Sequence, residues 1–474
     1  MEASTASGPR ERRIGIIGAG FTGTLLAVHL MRLAKTPTHL FLMERRGDYG
    51  RGVAYSTGND AHLLNVRAFN MSAYPDDPKH FIRWLWARDD PSIPAKAIPP
   101  SGHAFVSRGL YGGYIHEQFG EAVREAADHV TCSTLGDDVV DLKRTDGGGF
   151  TLRLACGSAI EVDAVALCIG NFPPAPASGV GAEAAASPFH ISDPWDAAAV
   201  AAIPPDAPVL IMGTGLTTAD LIISLNHNGH RGPITALSRR GLHPTVHQEA
   251  RSYPSYIDDA ANSEVPLRIT ALTRRIRDEV RRGTADGYDW RSILDALRPH
   301  LRRIWSRLPR DERRRFLRHV RPWWDVHRHR MAPQVAGILE RERDSGRLTV
   351  LAGRLRSLTP ETDGLAAVVT PRGGSAEIPL PAGWVINCSG PACDYARISH
   401  PLVRSLLDGG LARPDPLGLG LDVTPDAVVI GADGVPTDGL FALGPVTRGT
   451  FWEITAVPEL RAACAETARS LAGA

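Results

Sequence analysis

The stretch RIGIIGAGFTGTLLAVHL, residues 13–30, decides the fold. Its apolar start is typical of a short buried parallel strand, and a glycine-rich turn follows directly. The spacing places Gly18 in a tight turn, Gly20 where a pyrophosphate approaches the backbone, and Gly23 where a helix packs on the strand. The helix that follows offers free N–H groups to a phosphate. These residues predict the opening strand, turn and helix of a dinucleotide-binding fold.

A second apolar run, residues 40–43, ends on Glu44. An acid at this place in a dinucleotide-binding fold accepts hydrogen bonds from the ribose hydroxyls of an adenosine, and it favours a ribose without a 2′-phosphate. Strand, glycine turn, helix, second strand and acid all occur in the expected order. They predict an FAD site that comprises Gly18, Gly20, Phe21, Thr22, Gly23, Glu44 and Arg45.

The same order of features returns in the stretch VLIMGTGLTTAD, residues 209–220. Gly213 and Gly215 repeat the first two glycines, and Ala219 lies at or next to the place of the third. The helix that opens here contains Asp220. We therefore predict a second dinucleotide site, with Gly213, Gly215 and Asp220 as its contacts.

The second site differs from the first where its next strand ends. Residues 234–237 lead into Ser238, Arg239 and Arg240, with no acid at this point. A guanidinium pairs with a 2′-phosphate through two parallel hydrogen bonds, whereas an acid would repel it. We therefore predict that Arg239 or Arg240 binds the 2′-phosphate of NADPH. A solvated basic turn is the alternative interpretation.

Near the C-terminal end, residues 439–445 predict a short strand that stops at a glycine, and a helix then runs to Leu471. The positive N-terminal end of such a helix stabilises a reduced, anionic flavin. Gly444, Thr450 and Trp452 are therefore added to the FAD site. Many flavoproteins place an acid after the glycine of this strand, and Pro445 stands there instead.

Two sites of this kind predict an α/β protein with two Rossmann-type dinucleotide-binding domains, of which the FAD domain is discontinuous. Residues 1–200 are assigned to the first part of the FAD-binding domain. Residues 205–346 are assigned to the NADPH-binding domain with an Arg-rich helical insertion. Residues 347–474 are assigned to the second part of the FAD-binding domain.

Composition excludes several classes of function. The formal net charge of +1 over 474 residues argues against a nucleic-acid partner. No apolar run reaches the roughly 18 residues of a membrane span, and the first residues lack the apolar core of a signal peptide. The six cysteines lack metal-ligand spacing, so we predict reduced thiols, no metal, and burial for Cys388 and Cys393 in preference to a redox pair. We expect a cytoplasmic protein without a membrane partner, and its oligomeric state stays open.

One cluster of the helical insertion differs from a solvated basic face. Trp324, His327 and Arg328 surround Asp325, and such a group of side chains suits an anionic substrate. His327 and His329 are two residues apart, so on a helix they point in different directions and form a poor metal pair. We predict substrate contacts from Trp324, His327 and Arg328.

Several motifs together resemble those of a bacterial family of FAD/NAD(P)-binding proteins. This family is distantly similar to the flavin-dependent N-hydroxylating monooxygenases, which act on ornithine, lysine and small amino acids. The resemblance covers nearly the whole chain, and its motifs are specific for the family and weak for the substrate. They are GAGFTG at 18–23, GRGVAY at 50–55, HLLNV at 62–66, WDVHRHR at 324–330 and TRGTFWE at 447–453.

The resemblance implies an FAD-dependent monooxygenase that takes electrons from NADPH and uses molecular oxygen to hydroxylate a nitrogen of a small amino-acid-like substrate. Asn65 is the candidate for a hydrogen bond to the flavin, and turn capping is its alternative role. Arg67 stands where the family would have proline, so it is either a substrate contact or a tolerated surface change. Two other functions stay open: an NAD(P)H:acceptor flavin oxidoreductase without oxygen insertion, and an FAD-binding sensor or assembly protein.

Overall fold

The computed structural model describes residues 10–88, 99, 101–258 and 266–473. Its strands, in chain order, are β1 (Arg12–Ile17), β2 (Thr38–Met43), β3 (Val130–Leu135), β4 (Val139–Arg144), β5 (Phe150–Leu154), β6 (Ala159–Val162), β7 (Ala164–Leu167), β8 (His190–Ile191), β9 (Val209–Met212), β10 (Ile234–Ser238), β11 (Leu348–Glu361), β12 (Gly364–Pro371), β13 (Ile378–Pro381), β14 (Trp384–Asn387), β15 (Val428–Ile430) and β16 (Pro436–Ala442).

Its helices, also in chain order, are α1 (Phe21–Leu33), α2 (Gly52–Tyr55), α3 (His80–Trp86), α4 (Arg108–Glu125), α5 (Ala182–Ala185), α6 (Ala197–Ala201), α7 (Leu216–His227), α8 (Ile269–Ala285), α9 (Trp290–Asp295), α10 (Leu301–Arg307), α11 (Arg310–Arg315), α12 (Arg321–Arg328), α13 (Pro333–Asp344), α14 (Pro401–Asp408) and α15 (Val457–Ala472). No helix in the described residues is long and apolar enough to cross a membrane.

The chain divides into two compact units. The first comprises the described residues of Met1–Asp60, Val66–Asn171 and Cys393–Ala474. The second comprises those of Ala61–Asn65 and Phe172–Ala392. Each unit contains one large sheet, so the predicted fold class of two Rossmann-type folds in an α/β protein, with a discontinuous first domain, is confirmed.

In the first unit, the described residues form a six-stranded sheet in the order β15-β16-β7-β1-β2-β3. All of its neighbours pair in parallel except β15 and β16. Ile14, Ile16, Leu40 and Leu42 of its central strands are fully buried, as the apolar runs of the sequence predict. Helix α1 is buried on almost all sides because it packs against both α4 and α15. This core fixes the loop between β1 and α1.

In the second unit, the described residues form a seven-stranded sheet in the order β13-β12-β11-β10-β9-β14-β8. Strand β9 is buried on both faces, and its residues alternate between two apolar clusters. Val209 and Ile211 pack in the cluster that includes Leu221 of α7, whereas Leu210 and Met212 pack in the opposite cluster. This alternation follows from the two-residue period of a strand. The packing of β9 against Leu221 holds α7 directly after the second glycine loop.

The domain boundaries differ from the predicted ones. Residues 172–200 and 347–392 belong to the second unit, not to the FAD-binding domain. The reason is strand pairing, because β11 pairs in parallel with β10 and β14 pairs in parallel with β9. The second sheet therefore includes strands from residues that the sequence assigned to the second part of the FAD-binding domain.

The Arg-rich insertion is helical from α8 to α13, as predicted. The last helix, α15, begins at Val457 and ends at Ala472, a few residues after the predicted start. Pro458 occupies the first turn of this helix, where its missing N–H costs nothing. The segment between β16 and α15 is a series of turns, and it contains the predicted flavin contacts.

Candidate functional site

The first glycine loop has the close contacts that its spacing predicts. Gly18 donates its N–H to the Met43 carbonyl at 2.9 Å and has a φ of +91°. A Cβ at Gly18 would lie 2.5 Å from the Cys168 carbonyl oxygen, and one at Gly23 would lie 1.9 Å from the Gly18 oxygen. Both positions exclude a side chain, so α1 begins directly at the end of β1 with its first N–H groups at the loop.

Gly20 is needed for a contact that the sequence pattern does not reveal. A Cβ at Gly20 would lie 3.4 Å from the Cα of Gly52, and one at Gly52 would lie 3.0 Å from the Cα of Gly20. Gly50 also donates its N–H to the Ala19 carbonyl at 2.9 Å. The 50–52 segment therefore packs directly on the glycine loop and places Arg51 beside it.

The Glu44 carboxylate is held by two backbone groups at the end of β2. Its Oε2 accepts a hydrogen bond from the Ala19 N–H at 3.0 Å, and its Oε1 accepts one from the Arg46 N–H at 3.3 Å. Glu44 is half-buried, and Arg45 beside it is exposed. The acid is thus fixed within reach of the glycine loop, where the fold places a ribose.

Three aromatic side chains pack together at the start of α1. Phe21, the first residue of α1, lies with its ring centroid 6.1 Å from those of Tyr55 and Tyr111. The Tyr55 and Tyr111 rings meet edge to face at 4.9 Å. Burial raises the pKa of Tyr55 to about 12, so this hydroxyl stays protonated in neutral solution.

The segment after β16 reaches the same loop. Gly444 has a φ of +85°, and a Cβ there would lie 3.2 Å from Oγ1 of Thr22. The Thr450 hydroxyl donates to the Val423 carbonyl at 3.2 Å. Trp452 is only 4% exposed, and the Arg448 guanidinium lies 4.5 Å from the centroid of its ring. The structure thus brings Gly444 to the glycine loop and gives Thr450 and Trp452 contacts within the first unit.

The second glycine loop repeats the geometry of the first. Gly213 donates its N–H to the Leu237 carbonyl at 2.8 Å and has a φ of +140°. A Cβ at Gly213 would lie 2.3 Å from the Cys388 carbonyl oxygen. A Cβ at Gly215 would meet nothing within 4 Å, so this glycine is open for a ligand to approach the backbone.

The turn after β10 is fastened to this loop by side-chain hydroxyls. Oγ1 of Thr214 lies 2.9 Å from Oγ of Ser238, and the Thr214 hydroxyl also bonds to the Leu242 carbonyl. Neither Thr214 nor Ser238 is among the predicted site residues. In the sequence, Thr214 is marked only by its place directly after Gly213, and Ser238 only by its place at the end of a strand.

Arg239 and Arg240 lie in this turn. Arg239 is exposed and Arg240 is half-buried. Within the described part of the chain, neither guanidinium forms an ion pair. Both are therefore available to an external anion.

Asp220, a predicted contact of the second dinucleotide site, is buried. It is 5% exposed on the second turn of α7, and its main-chain carbonyl accepts a hydrogen bond from Nε2 of His62 at 3.0 Å. Burial raises the pKa of the Cys388 thiol, and the charge of Asp220 adds to this effect. Asp220 therefore lies among interior side chains of the second unit.

The two predicted catalytic residues fall in different units. Asn65 belongs to the second unit, and its main-chain carbonyl accepts a hydrogen bond from Nε2 of His247 at 3.0 Å. Its side-chain amide makes no hydrogen bond to any described residue, and a flavin contact from it stays a prediction. Arg67 belongs to the first unit and directly precedes a single 3₁₀ turn, Ala68–Asn70.

Trp324, His327 and Arg328 all lie on α12 and are half-buried. The Trp324 ring meets Phe316 at 6.4 Å, and the His327 ring meets Trp290 at 5.0 Å. Nδ1 of His327 also donates to the Trp323 carbonyl at 2.7 Å. The contacts shown here lie within the insertion, and substrate binding by these three side chains stays a prediction.

The six cysteines, all within the described residues, are free thiols. Cys168, Cys388 and Cys464 are fully buried, and burial raises the pKa of each. A buried neutral thiol is a poor nucleophile. Cys388 is therefore buried, as the sequence predicts, whereas Cys393 is only half-buried, so that part of the prediction is wrong.

The comparison with known families covers the first glycine loop, Glu44 and β7. Residues 15–172 match a family model described as FAD-NAD(P)-binding. This segment is an FAD-NAD(P)-binding domain. The predicted cofactors, FAD and a nicotinamide dinucleotide, agree with this description. No curated protein matches the chain.

Solved structures resemble this chain over almost its whole length, beyond residues 15–172. The reduced form of ornithine hydroxylase from Pseudomonas aeruginosa is 17% identical, with 98% of each chain covered and a TM-score of 0.62. Ornithine N-hydroxylase of Kutzneria sp. 744, with FADred, NADP+ and L-ornithine, is 14% identical, with 98% of this chain and 99% of that chain covered and a TM-score of 0.61. L-lysine 6-monooxygenase from Pseudomonas syringae is 14% identical over the same shares, with a TM-score of 0.59. The chain has the fold of these enzymes.

Proposed function

We propose that the protein is an FAD-dependent, NADPH-reduced monooxygenase that hydroxylates a nitrogen of a small amino-acid-like substrate. The observation that carries the proposal is the unequal pair of dinucleotide loops. One loop ends on the fixed carboxylate of Glu44, and the other ends on Arg239 and Arg240 without an ion-pair partner in the described residues. Such a pair suits a resident FAD and a phosphorylated hydride donor.

The first unit fits FAD. The glycine loop leaves no room for a Cβ at Gly18 or Gly23, and α1 directs its first N–H groups to the place of a pyrophosphate. The Glu44 carboxylate is positioned to accept hydrogen bonds from the adenosine ribose. Bound FAD would supply the redox chemistry and the activation of oxygen, and this unit binds and orients it.

The second unit fits NADPH. Gly215 leaves the backbone open to the coenzyme phosphates at the start of α7, a helix of 12 residues. Arg239 and Arg240 supply the positive charge that a 2′-phosphate requires. An acid at the end of β10 would oppose this ligand, and Ser238 stands there instead.

Four points enter the proposal of an oxygen-inserting reaction on an amino-acid-like substrate. The solved structures named above are an ornithine hydroxylase, an ornithine N-hydroxylase and an L-lysine 6-monooxygenase with the same fold over almost the whole chain. The half-buried amide of Asn65 is unbonded within the described residues and is proposed to orient the flavin or the substrate. Arg67 is proposed to bind a substrate carboxylate. The buried thiol of Cys388 argues against a dithiol reductase, since burial raises its pKa.

The reaction is tested with isotopically heavy oxygen gas and a panel of ornithine, lysine and shorter diamines. We expect one substrate to gain a single heavy oxygen atom on nitrogen, at a rate that matches NADPH oxidation. NADPH oxidation that yields only hydrogen peroxide across the panel contradicts the monooxygenase and favours an NAD(P)H:acceptor oxidoreductase. FAD binding without any NADPH oxidation favours the sensor instead.

The coenzyme assignment is tested with Arg239→Ala and Arg240→Ala. Loss of a guanidinium–phosphate pair should raise the NADPH KM about 10- to 100-fold and leave the NADH KM within about threefold. Arg231→Ala is the matched control, because Arg231 is an exposed arginine near the opposite end of the same strand. Equal changes in both coenzymes refute the assignment.

A further inference from the structure

The end of β10 corresponds in register to the end of β2. The first glycine of each loop donates its N–H to the second strand: Gly18 to Met43 at 2.9 Å, and Gly213 to Leu237 at 2.8 Å. The residue after Met43 is Glu44, and the residue after Leu237 is Ser238. Ser238 therefore stands where the ribose-binding acid stands in the first fold.

The partners of these two residues correspond as well. Oε2 of Glu44 accepts from the N–H of Ala19, and Oγ of Ser238 lies 2.9 Å from Oγ1 of Thr214. Ala19 and Thr214 each follow the first glycine of their loop. The first fold thus places a charged carboxylate at this point, whereas the second places a pair of neutral hydroxyls.

The hydroxyl pair also fixes the arginine turn at both ends. Ser238 begins the turn, and its Oγ accepts the N–H of Gly241 at 3.0 Å. The Thr214 hydroxyl bonds to the carbonyl of Leu242, just beyond the turn. Arg239 and Arg240 lie between these attachment points, so the pair limits where their guanidinium groups can reach.

We propose that the Thr214–Ser238 hydroxyl pair determines the coenzyme specificity of this site. It keeps the acid position uncharged, so a ribose 2′-phosphate is not repelled. It also positions the turn so that Arg239 and Arg240 meet that phosphate. This inference rests on the proposed NADPH site, and Ser238 and Thr214 act in it as positioning residues.

The experiment measures the binding of two fragments, 2′,5′-ADP and 5′-AMP, to FAD-loaded protein by calorimetry. Ser238→Ala and Thr214→Val should each weaken 2′,5′-ADP binding about three- to tenfold, because each removes the shared hydroxyl contact and one further hydrogen bond that orders the turn. Binding of 5′-AMP should change by less than about twofold. The double variant should lose less than the sum of the two single losses, since both changes break the shared Thr214–Ser238 contact.

Two variants separate this role from a general loss of structure. Ser238→Thr keeps a hydroxyl and should keep the wild-type preference to within about twofold. Thr235→Val removes a hydroxyl elsewhere on β10 and should leave both fragments unaffected. Ser238→Asp places an acid where the first fold has Glu44, and it should change the preference from NADP+ to NAD+.

The outcomes distinguish the inference from the proposed function. If the wild type prefers 2′,5′-ADP and loses this preference on replacement of Arg239 and Arg240, the NADPH site stands. If Ser238→Ala and Thr214→Val then both keep the wild-type selectivity, the specificity role of the hydroxyl pair is wrong while the NADPH site stands. A loss of selectivity in Ser238→Ala but not in Thr214→Val also contradicts the role of the pair. A wild type with no preference between the fragments overturns the NADPH site itself.

Discussion

Replacement of Glu44 gives the sharpest prediction about the flavin site. In the structure, its carboxylate is held by the Ala19 and Arg46 N–H groups at 3.0 and 3.3 Å, which leaves its remaining lone pairs for a ribose. A hydrogen bond to a charged group contributes about 1.5–3 kcal/mol, and the site is half-buried. Loss of the contacts to two ribose hydroxyls in Glu44→Ala should therefore cost about 3 kcal/mol, or about 100-fold in the Kd of FAD.

Glu44→Gln should fall between the wild type and the alanine variant. Its carbonyl oxygen still accepts from Ala19, but its amide group presents N–H donors to the Arg46 N–H and carries no charge. We expect a Kd for FAD about tenfold above that of the wild type, because about half of the interaction is lost.

The assay is fluorescence titration of FAD into apoprotein, with circular dichroism to confirm folding of each variant. Glu161→Ala is the control, since Glu161 is an exposed acid on β6 of the same unit. Its Kd should match that of the wild type. A folded Glu44→Ala protein that binds FAD within twofold of the wild type would refute the role of this carboxylate.

Three further predictions concern the second glycine loop, a buried histidine and the insertion. Gly213→Ala should lower the Tm by at least about 3 °C, whereas Gly215→Ala should leave the Tm unchanged and weaken NADP+; equal Tm values contradict this. Burial lowers the pKa of His29 to about 4, so the unfolded state takes up a proton first and stability falls from pH 6.5 to 4. His29→Leu should reduce this loss by about 3 kcal/mol in urea titrations, and an unchanged pH slope refutes it. Arg330, only 3% exposed, pairs with Asp295 at 2.9 Å, so Arg330→Ala should cost about 2 kcal/mol of unfolding free energy; a loss below about 0.5 kcal/mol would contradict that value.

The glycine loops were predictable because their constraints are local in sequence. Gly18, Gly23 and Gly213 each exclude a side chain for reasons that the spacing already implies, and the apolar runs before them are buried strands. Glu44 follows its strand directly, so its place at the loop also follows from the pattern. Local order along the chain is enough to fix these features.

The domain boundary was not predictable from local patterns, because it depends on which strands pair. An apolar run such as β14 fits either sheet equally well, and only its pairing with β9 assigns it to the second unit. The contact between Gly20 and Gly52 and the bond between Thr214 and Ser238 are of the same kind. Each joins residues more than 20 positions apart, and no sequence period marks them.

Anaerobic mixing of FAD-loaded protein with NADPH or NADH tests directly whether the two dinucleotide sites hold FAD and its NADPH reductant. The visible absorbance of oxidised flavin reports whether electrons pass from the coenzyme to the flavin. We predict that the protein binds FAD stoichiometrically and that the flavin bleaches at least about tenfold faster with NADPH than with NADH at equal low concentration. We also expect this difference to disappear in Arg239→Ala or Arg240→Ala. Protein that cannot take up FAD, or flavin that NADPH leaves oxidised, contradicts the assignment of the two sites.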